Sequence, residues 1–152
     1  MPSCFDVYVI SNRRNPNSIE MFLNEFLPLR EESADQYEFP QYSETPEATY
    51  TDAQSLIAKC CVQKTSEHGL YWRSLNDENP AHAMIFFLRD GHVIYGVSMK
   101  DHNLEFARET LYKMKLKLDS KIGYIDWEAP PTASDLEEFK ELVIRHSELT
   151  GT

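Results

Sequence analysis

Two hydrophobic rhythms alternate along this chain, and the switch between them predicts its elements. Phe5 to Ile10 (FDVYVI) is rich in β-formers and reads as a first strand. A helical period then takes over: Ile19, Phe22, Leu23, Phe26 and Leu27 recur at i, i+3, i+4, i+7 and i+8, with Pro28 at or just past the end. Asn17, three residues before Glu20, matches a capping box for that helix. Thr51 and Gln54 repeat the pattern ahead of a second buried stripe, Ala53, Leu56, Ile57, Cys60 and Cys61. A third helix follows a cap at Asn103 and carries Leu104, Ala107, Leu111, Met114 and Leu118. Its Lys113, Lys115 and Lys117 stand near the C-terminal end, where cations suit the helix dipole. Ser134 with Glu137 opens a fourth, with Leu136, Phe139, Leu142 and Val143 turned inward.

The period of two returns from Ala83 to Met99, AMIFFLRDGHVIYGVSM, as two apolar runs joined at Arg89-Asp90-Gly91-His92. Asp-Gly at such a joint predicts a hairpin with a type I′ turn, whose two central residues both need positive φ. In the first run Ala83, Ile85 and Phe87 point one way and Met84, Phe86 and Leu88 the other. A strand apolar on both faces belongs inside a sheet covered on both sides. Leu70 to Leu75 and Ile122 to Trp127 read as further strands, the latter stopped by Pro130 and Pro131. Arg30 to Thr49 shows no period and reads as a long loop.

The order is β-α-loop-α-β-β-β-α-β-α. It predicts a single α+β (or α/β) domain over 1–152, with one mixed or largely antiparallel sheet of about five to six strands, four helices and the central hairpin 83–99. The pairs Tyr8/Tyr95, Ser11/Ser98 and Tyr37/Tyr124 share one offset. This marks a two-fold pseudo-repeat of β-α-β-α units with halves 1–75 and 83–150. The repeat makes Tyr37 to Phe39 a strand equivalent to Tyr124 to Trp127.

Composition narrows the class. A chain of 152 residues, 41% hydrophobic and 12% aromatic, has the makings of a packed core and not of a disordered segment. No apolar run approaches the roughly 20 residues of a membrane span, and MPSCFDVYVISN lacks the basic and apolar regions of a signal peptide. Cys4, Cys60 and Cys61 are an odd count with two adjacent, a poor disulfide framework, so the expected setting is a reducing cytoplasm. The net charge of −10, from 25 acidic and 15 basic residues, speaks against a nucleic-acid ligand; it is compatible with a basic protein partner reached by electrostatic steering, and equally with a charge that serves solubility.

Catalytic motifs are missing from the sequence. His68, His82, His92, His102 and His146 show no metal-ligand spacing, and there is no C-x-x-C, H-E-x-x-H, Gly-rich phosphate loop or G-x-S-x-G. No catalytic residue, metal or cofactor is therefore expected. Glu31/Glu32 and Glu137/Glu138 are adjacent and would splay about 100° apart on a helix, a poor geometry for acid-base work. Three groups stand out as partner-binding candidates instead. Tyr37, Glu38, Phe39, Tyr42, Glu44 and Glu47 lie in the acidic loop, where the aromatics serve either a partner or the loop's own anchoring. Trp72 and Arg73 sit side by side on a strand and must face opposite ways. Asp126, Trp127 and Glu128 place two acids around an aromatic at a strand end. The last of these groups, together with the acidic loop and the acidic last helix, predicts one negative, aromatic-bearing surface. The expectation is a non-catalytic acidic binding protein, an immunity-type neutraliser of a basic toxin or of another basic protein, monomeric or homodimeric. The alternatives are a small enzyme or ligand-binding domain with an aromatic and histidine-lined pocket, or a homodimeric regulatory domain.

Overall fold

In a computed structural model describing residues 4–76, 79–100 and 103–151, the central hairpin lies in an antiparallel sheet of six strands. In chain order the elements are β1 (Cys4–Ser11), α1 (Pro16–Phe26), β2 (Arg30–Glu32), β3 (Tyr37–Phe39), β4 (Ala48–Tyr50), α2 (Ala53–Val62) and β5 (His68–Ser74). Then come β6 (His82–Phe87), β7 (Val93–Lys100), α3 (Leu104–Lys117), β8 (Gly123–Trp127), α4 (Leu136–Arg145) and the short α5 (Ser147–Thr150). The sheet runs β2-β5-β6-β7-β1-β8, and β3 pairs with β4 in a separate ribbon. The α+β class and the six strands agree with the sequence pattern, and so do the four longer helices.

Several local expectations are corrected. The reverse turn is not type I′: only Gly91 has positive φ (92°), Gly91 N–H donates to Leu88 C=O, and Leu88 N–H donates to His92 C=O. That is a three-residue loop closed by a bulge, which needs one left-handed residue where type I′ needs two. Helix α1 starts earlier than Asn17, because Pro16 suits the first turn and Asn15 Oδ1 already accepts the Ser18 N–H at 2.8 Å. Asp52 and Asp135, not Thr51 and Ser134, cap α2 and α4, their carboxylates accepting from Ser55 and Glu138. Asn103 caps α3 as expected. The segment from Arg30 to Thr49 is not a plain loop: it holds β2 and β3 and runs into β4, strands too short to display a period. Tyr37 to Phe39 is thus a strand, yet it pairs with β4, whereas β8 joins the main sheet on β1. The position beside β7 that mirrors β8 is taken by β6. His102 lies outside the described residues.

Helices cover the two sheet faces unequally. Val7, Val9, Leu70, Trp72, Ile85, Tyr95 and Val97 face α1, α2 and α3 in one continuous core with Phe22, Leu56 and Met114. On the opposite face α4 covers only one end, where Phe139 and Leu142 meet Tyr8, Ile10, Leu88, Ile94 and Tyr124. The hairpin's first strand is therefore buried on both sides, as its composition required, through Leu88; only Phe86 is half-buried. Turn and helix are tied together: Asp90 accepts the Leu136 N–H at 2.8 Å and Arg89 pairs with Asp135 at 2.9 Å. Gly96 is required on that face because the Tyr8 ring lies across it. A Cβ there would sit 2.7 Å from the ring.

One buried cation locks the α2 end. Among the described residues Arg14 has no carboxylate partner; its guanidinium donates to the carbonyls of Cys60 (2.9 Å), Leu88 (2.9 Å) and Ser66 (2.8 Å), and it stacks over Phe87. It thereby satisfies carbonyls that the helix leaves open at its C-terminus.

Candidate functional site

Beyond β2 the chain leaves the sheet and returns as an arm, the β3–β4 ribbon, held on the edge of β5 by side chains standing in for a strand. Gly69 N–H donates to Gln41 Oε1 at 2.9 Å, and Gln41 Nε2 donates to Gly69 C=O at 3.4 Å. One amide thus pairs both main-chain groups of Gly69 where β2 no longer runs alongside. Tyr37 and Phe39 point down into the core, and the Tyr37 hydroxyl donates to Glu32 Oε1, which also accepts the Ala53 N–H of α2. Burial and that carboxylate both push the Tyr37 phenol up. His68 is buried beneath the arm, with Nδ1 at 3.0 Å from Gly69 O and Nε2 at 2.9 Å from Glu38 O. Desolvation holds its imidazole below the ordinary value.

The arm's tip presents Tyr42. Its side chain is 89% exposed and its φ is +63°, a conformation unfavourable for a bulky residue. The tip is closed beneath it by Glu47 N–H donating to Phe39 C=O at 2.8 Å. Tyr42 divides two clefts. The first, of about 420 Å³, is lined by Glu38, Tyr37, His68 and Tyr71; the second, of about 280 Å³, opens onto the half-covered sheet face between Glu67, Tyr71, Phe86 and Pro131. Tyr71 meets Phe86 edge-on with centroids 5.7 Å apart. Glu38, Glu44 and Glu47 stand exposed on the arm, and no basic residue occurs between Arg30 and Lys59. The chemistry on offer is a pair of aromatic-walled slots in a negative field. Such slots suit the apolar stem and charged head of a lysine or arginine.

The other predicted residues are dispersed. Trp72 is buried in the core against α1 and α2. Arg73 points to the opposite face and pairs with Glu31. Asp126, Trp127 and Glu128 lie on or just past β8, the far edge of the sheet, where Asp126 meets His146 and Trp127 packs on Phe5. Five strand spacings, on the order of 24 Å, separate that edge from the β2 edge. The single acidic surface anticipated from the sequence is therefore two separate ones.

A row of polar side chains crosses all six strands on the half-covered face: Glu31, Arg73, His82, Ser98, Asp6 and Asp126 are successive ladder partners. Sequence spacing offers no sign of it, because register alone lines these residues up. Asp6 is its buried centre, accepting from Ser98 Oγ at 2.7 Å and from the Tyr8 hydroxyl at 3.0 Å. Desolvation raises its carboxyl above the ordinary value, and Glu128 and Asp126 add to the rise. Ser98 gives its proton to a carboxylate, not to an imidazole, and both oxygens of Asp6 are engaged, so the centre of the row is satisfied. The thiols are equally unsuited to nucleophilic work: burial pushes Cys60 up and Cys61 to about 11. Gln41, Glu67, Gly69, Tyr71 and Phe86 escaped the sequence reading; of these only Tyr71 carried a signal, as a neighbour of Trp72.

Comparison of the chain with protein-family models, with curated proteins and with solved structures finds no match. Geometry alone carries the functional argument. Among the described residues no cluster of His, Cys, Asp or Glu has the shape of a metal site, and no helix is long and apolar enough to cross a membrane.

Proposed function

We propose that the protein is a non-catalytic binding protein that captures a basic protein partner, in the manner of an immunity-type neutraliser, through the acidic arm and the two clefts beside Tyr42. The observation that carries this reading is Tyr42 itself. It is an aromatic side chain held out in solvent at φ +63°, between two aromatic-walled slots, on a segment with seven acids and no base from Glu31 to Asp52. Exposed aromatics inside a rim of charge serve as anchors in protein interfaces, and the acids steer a cationic partner toward them. The partner's lysine or arginine stems lie against Tyr42 and Tyr71, with Glu38 and Glu67 at the mouths of the slots. The histidine and tyrosine lining of the larger cleft also supports a second reading, a small-molecule site. His68 weighs against it, since both its ring nitrogens already face carbonyls.

A fluorescent nona-arginine peptide tests the reading. Stopped-flow anisotropy at low ionic strength should show association slowed roughly tenfold or more in the triple variant Glu38→Lys, Glu44→Lys, Glu47→Lys. Thermal stability should shift by no more than about 0.5 kcal/mol, because all three side chains are exposed. Association as fast as in the unaltered protein would sink the proposal.

A further inference from the structure

The chain carries a surface of the opposite sign. On α3, at about 100° per residue, Tyr112 and Leu116 form a ridge directed away from the buried Ala107, Leu111 and Met114. Each of the two is 64% exposed. Lys113 flanks the ridge on one side and Lys115 on the other, while Lys121 stands beyond the helix end. Tyr112, Leu116, Lys115 and Lys121, with Asp119, border a cleft of about 550 Å³. Four acids are present nearby: Glu25 faces Lys117 at 3.9 Å and Asp119 faces Arg13 at 3.9 Å, while Glu105 and Glu109 occupy the earlier turns of the ridge. Lys113, Lys115 and Lys121 make no ion pair among the described residues.

An apolar pair rimmed by cations, on a protein of net charge −10, is complementary to another surface of the molecule: the acidic arm with its exposed Tyr42. The two lie at different ends of the sheet. Helix α3 packs on β1 and β8, and the arm on β5. We propose that the α3 ridge docks the acidic arm of a second copy of this chain, a head-to-tail contact in which Tyr42 meets Tyr112 and Leu116 while Glu38, Glu44 and Glu47 oppose the lysines. This inference rests on the arm being a binding surface for cations. A contact of unlike patches builds rings or open chains of copies, held here by charge, so its signature is an association that grows with concentration and weakens with salt.

Sedimentation velocity over a concentration series at low salt tests it. The unaltered protein should show a rising weight-average sedimentation coefficient that added salt abolishes. The arm variant (Glu38→Lys, Glu44→Lys, Glu47→Lys) and a ridge variant (Lys113→Glu, Lys115→Glu, Lys121→Glu) should each lose association at least about tenfold. Mixing the two variants should restore it, since each then meets a surface of opposite charge. The restoration also shows that neither variant failed by unfolding. An unaltered protein that sediments as a monomer throughout, or variants whose mixture stays monomeric, would overturn the inference. If nona-arginine still binds the unaltered arm in that case, the reading of the arm stands and only the second-copy dock falls.

Discussion

Trp72 and Arg73 are consecutive residues on one strand, and the sheet faces they enter are built on different principles. Trp72 joins a face sealed by three helices, where stability comes from apolar area removed from water. Arg73 belongs to a face that α4 covers at one end only, where a polar row crosses six strands and holds the pairs Arg73–Glu31 and Ser98–Asp6. Dry packing gives the first face rigidity and no chemistry. The second leaves Tyr71 and Phe86 accessible beside the arm, and so supplies one wall of the candidate site.

The comparison can be broken most directly at Trp72. Trp72→Ala should lower stability by about 3–5 kcal/mol in urea melts, the range for a large aromatic removed from a packed core. Next comes Gly96→Ala, on the opposite face: the added Cβ meets the Tyr8 ring at 2.7 Å and should cost about 1–3 kcal/mol by overpacking. A neutral outcome would mean that Tyr8 can move and that the polar face is looser than its hydrogen bonds imply. Asp6→Asn tests the pH dependence of the polar face. The folded state raises the carboxyl above 3.8, so the folded protein holds that proton more tightly than the unfolded chain does. Ionised Asp6 thus lowers stability at neutral pH, and the penalty fades as pH falls through the folded value toward the unfolded one. Asp6→Asn should flatten the rise in stability that the unaltered protein shows as pH falls from 7, as followed by thermal melts across that range. Arg73→Ala should show the smallest effect, below about 1 kcal/mol, because its ion pair with Glu31 is exposed on both sides. A loss at Arg73 approaching that at Trp72 would abolish the distinction between the faces.

Periodic signals translated well into elements. The stripe of Ile19, Phe22, Leu23 and Phe26 is the buried face of α1, and the doubly apolar run from Ala83 is an inner strand, sealed on one face and covered on the other except at Phe86. Caps were displaced by one or two residues, since Asn15, Asp52 and Asp135 compete with equally capable polar neighbours and only backbone geometry selects among them. The candidate site was legible in part. Tyr42, Glu38, Glu44 and Glu47 stood out as aromatic and acidic residues in an aperiodic segment, and they remain together on the arm. Gln41, Gly69 and Phe86 did not, because each acquires its role from a neighbour distant in sequence.

The sequence by itself determined the α+β class, the central hairpin and the inward stripes of four helices, because hydrophobic period is a local property that every packed arrangement must respect. It also determined the charge of the arm and of α3. Tertiary structure alone decided that Asp126 to Glu128 stand at the far edge of the sheet from the arm, and that six polar residues from six strands share one row. Only it decided that one glutamine amide replaces a missing strand at Gly69. Strand order and register are set by how whole faces pack, and no window along the chain contains that information.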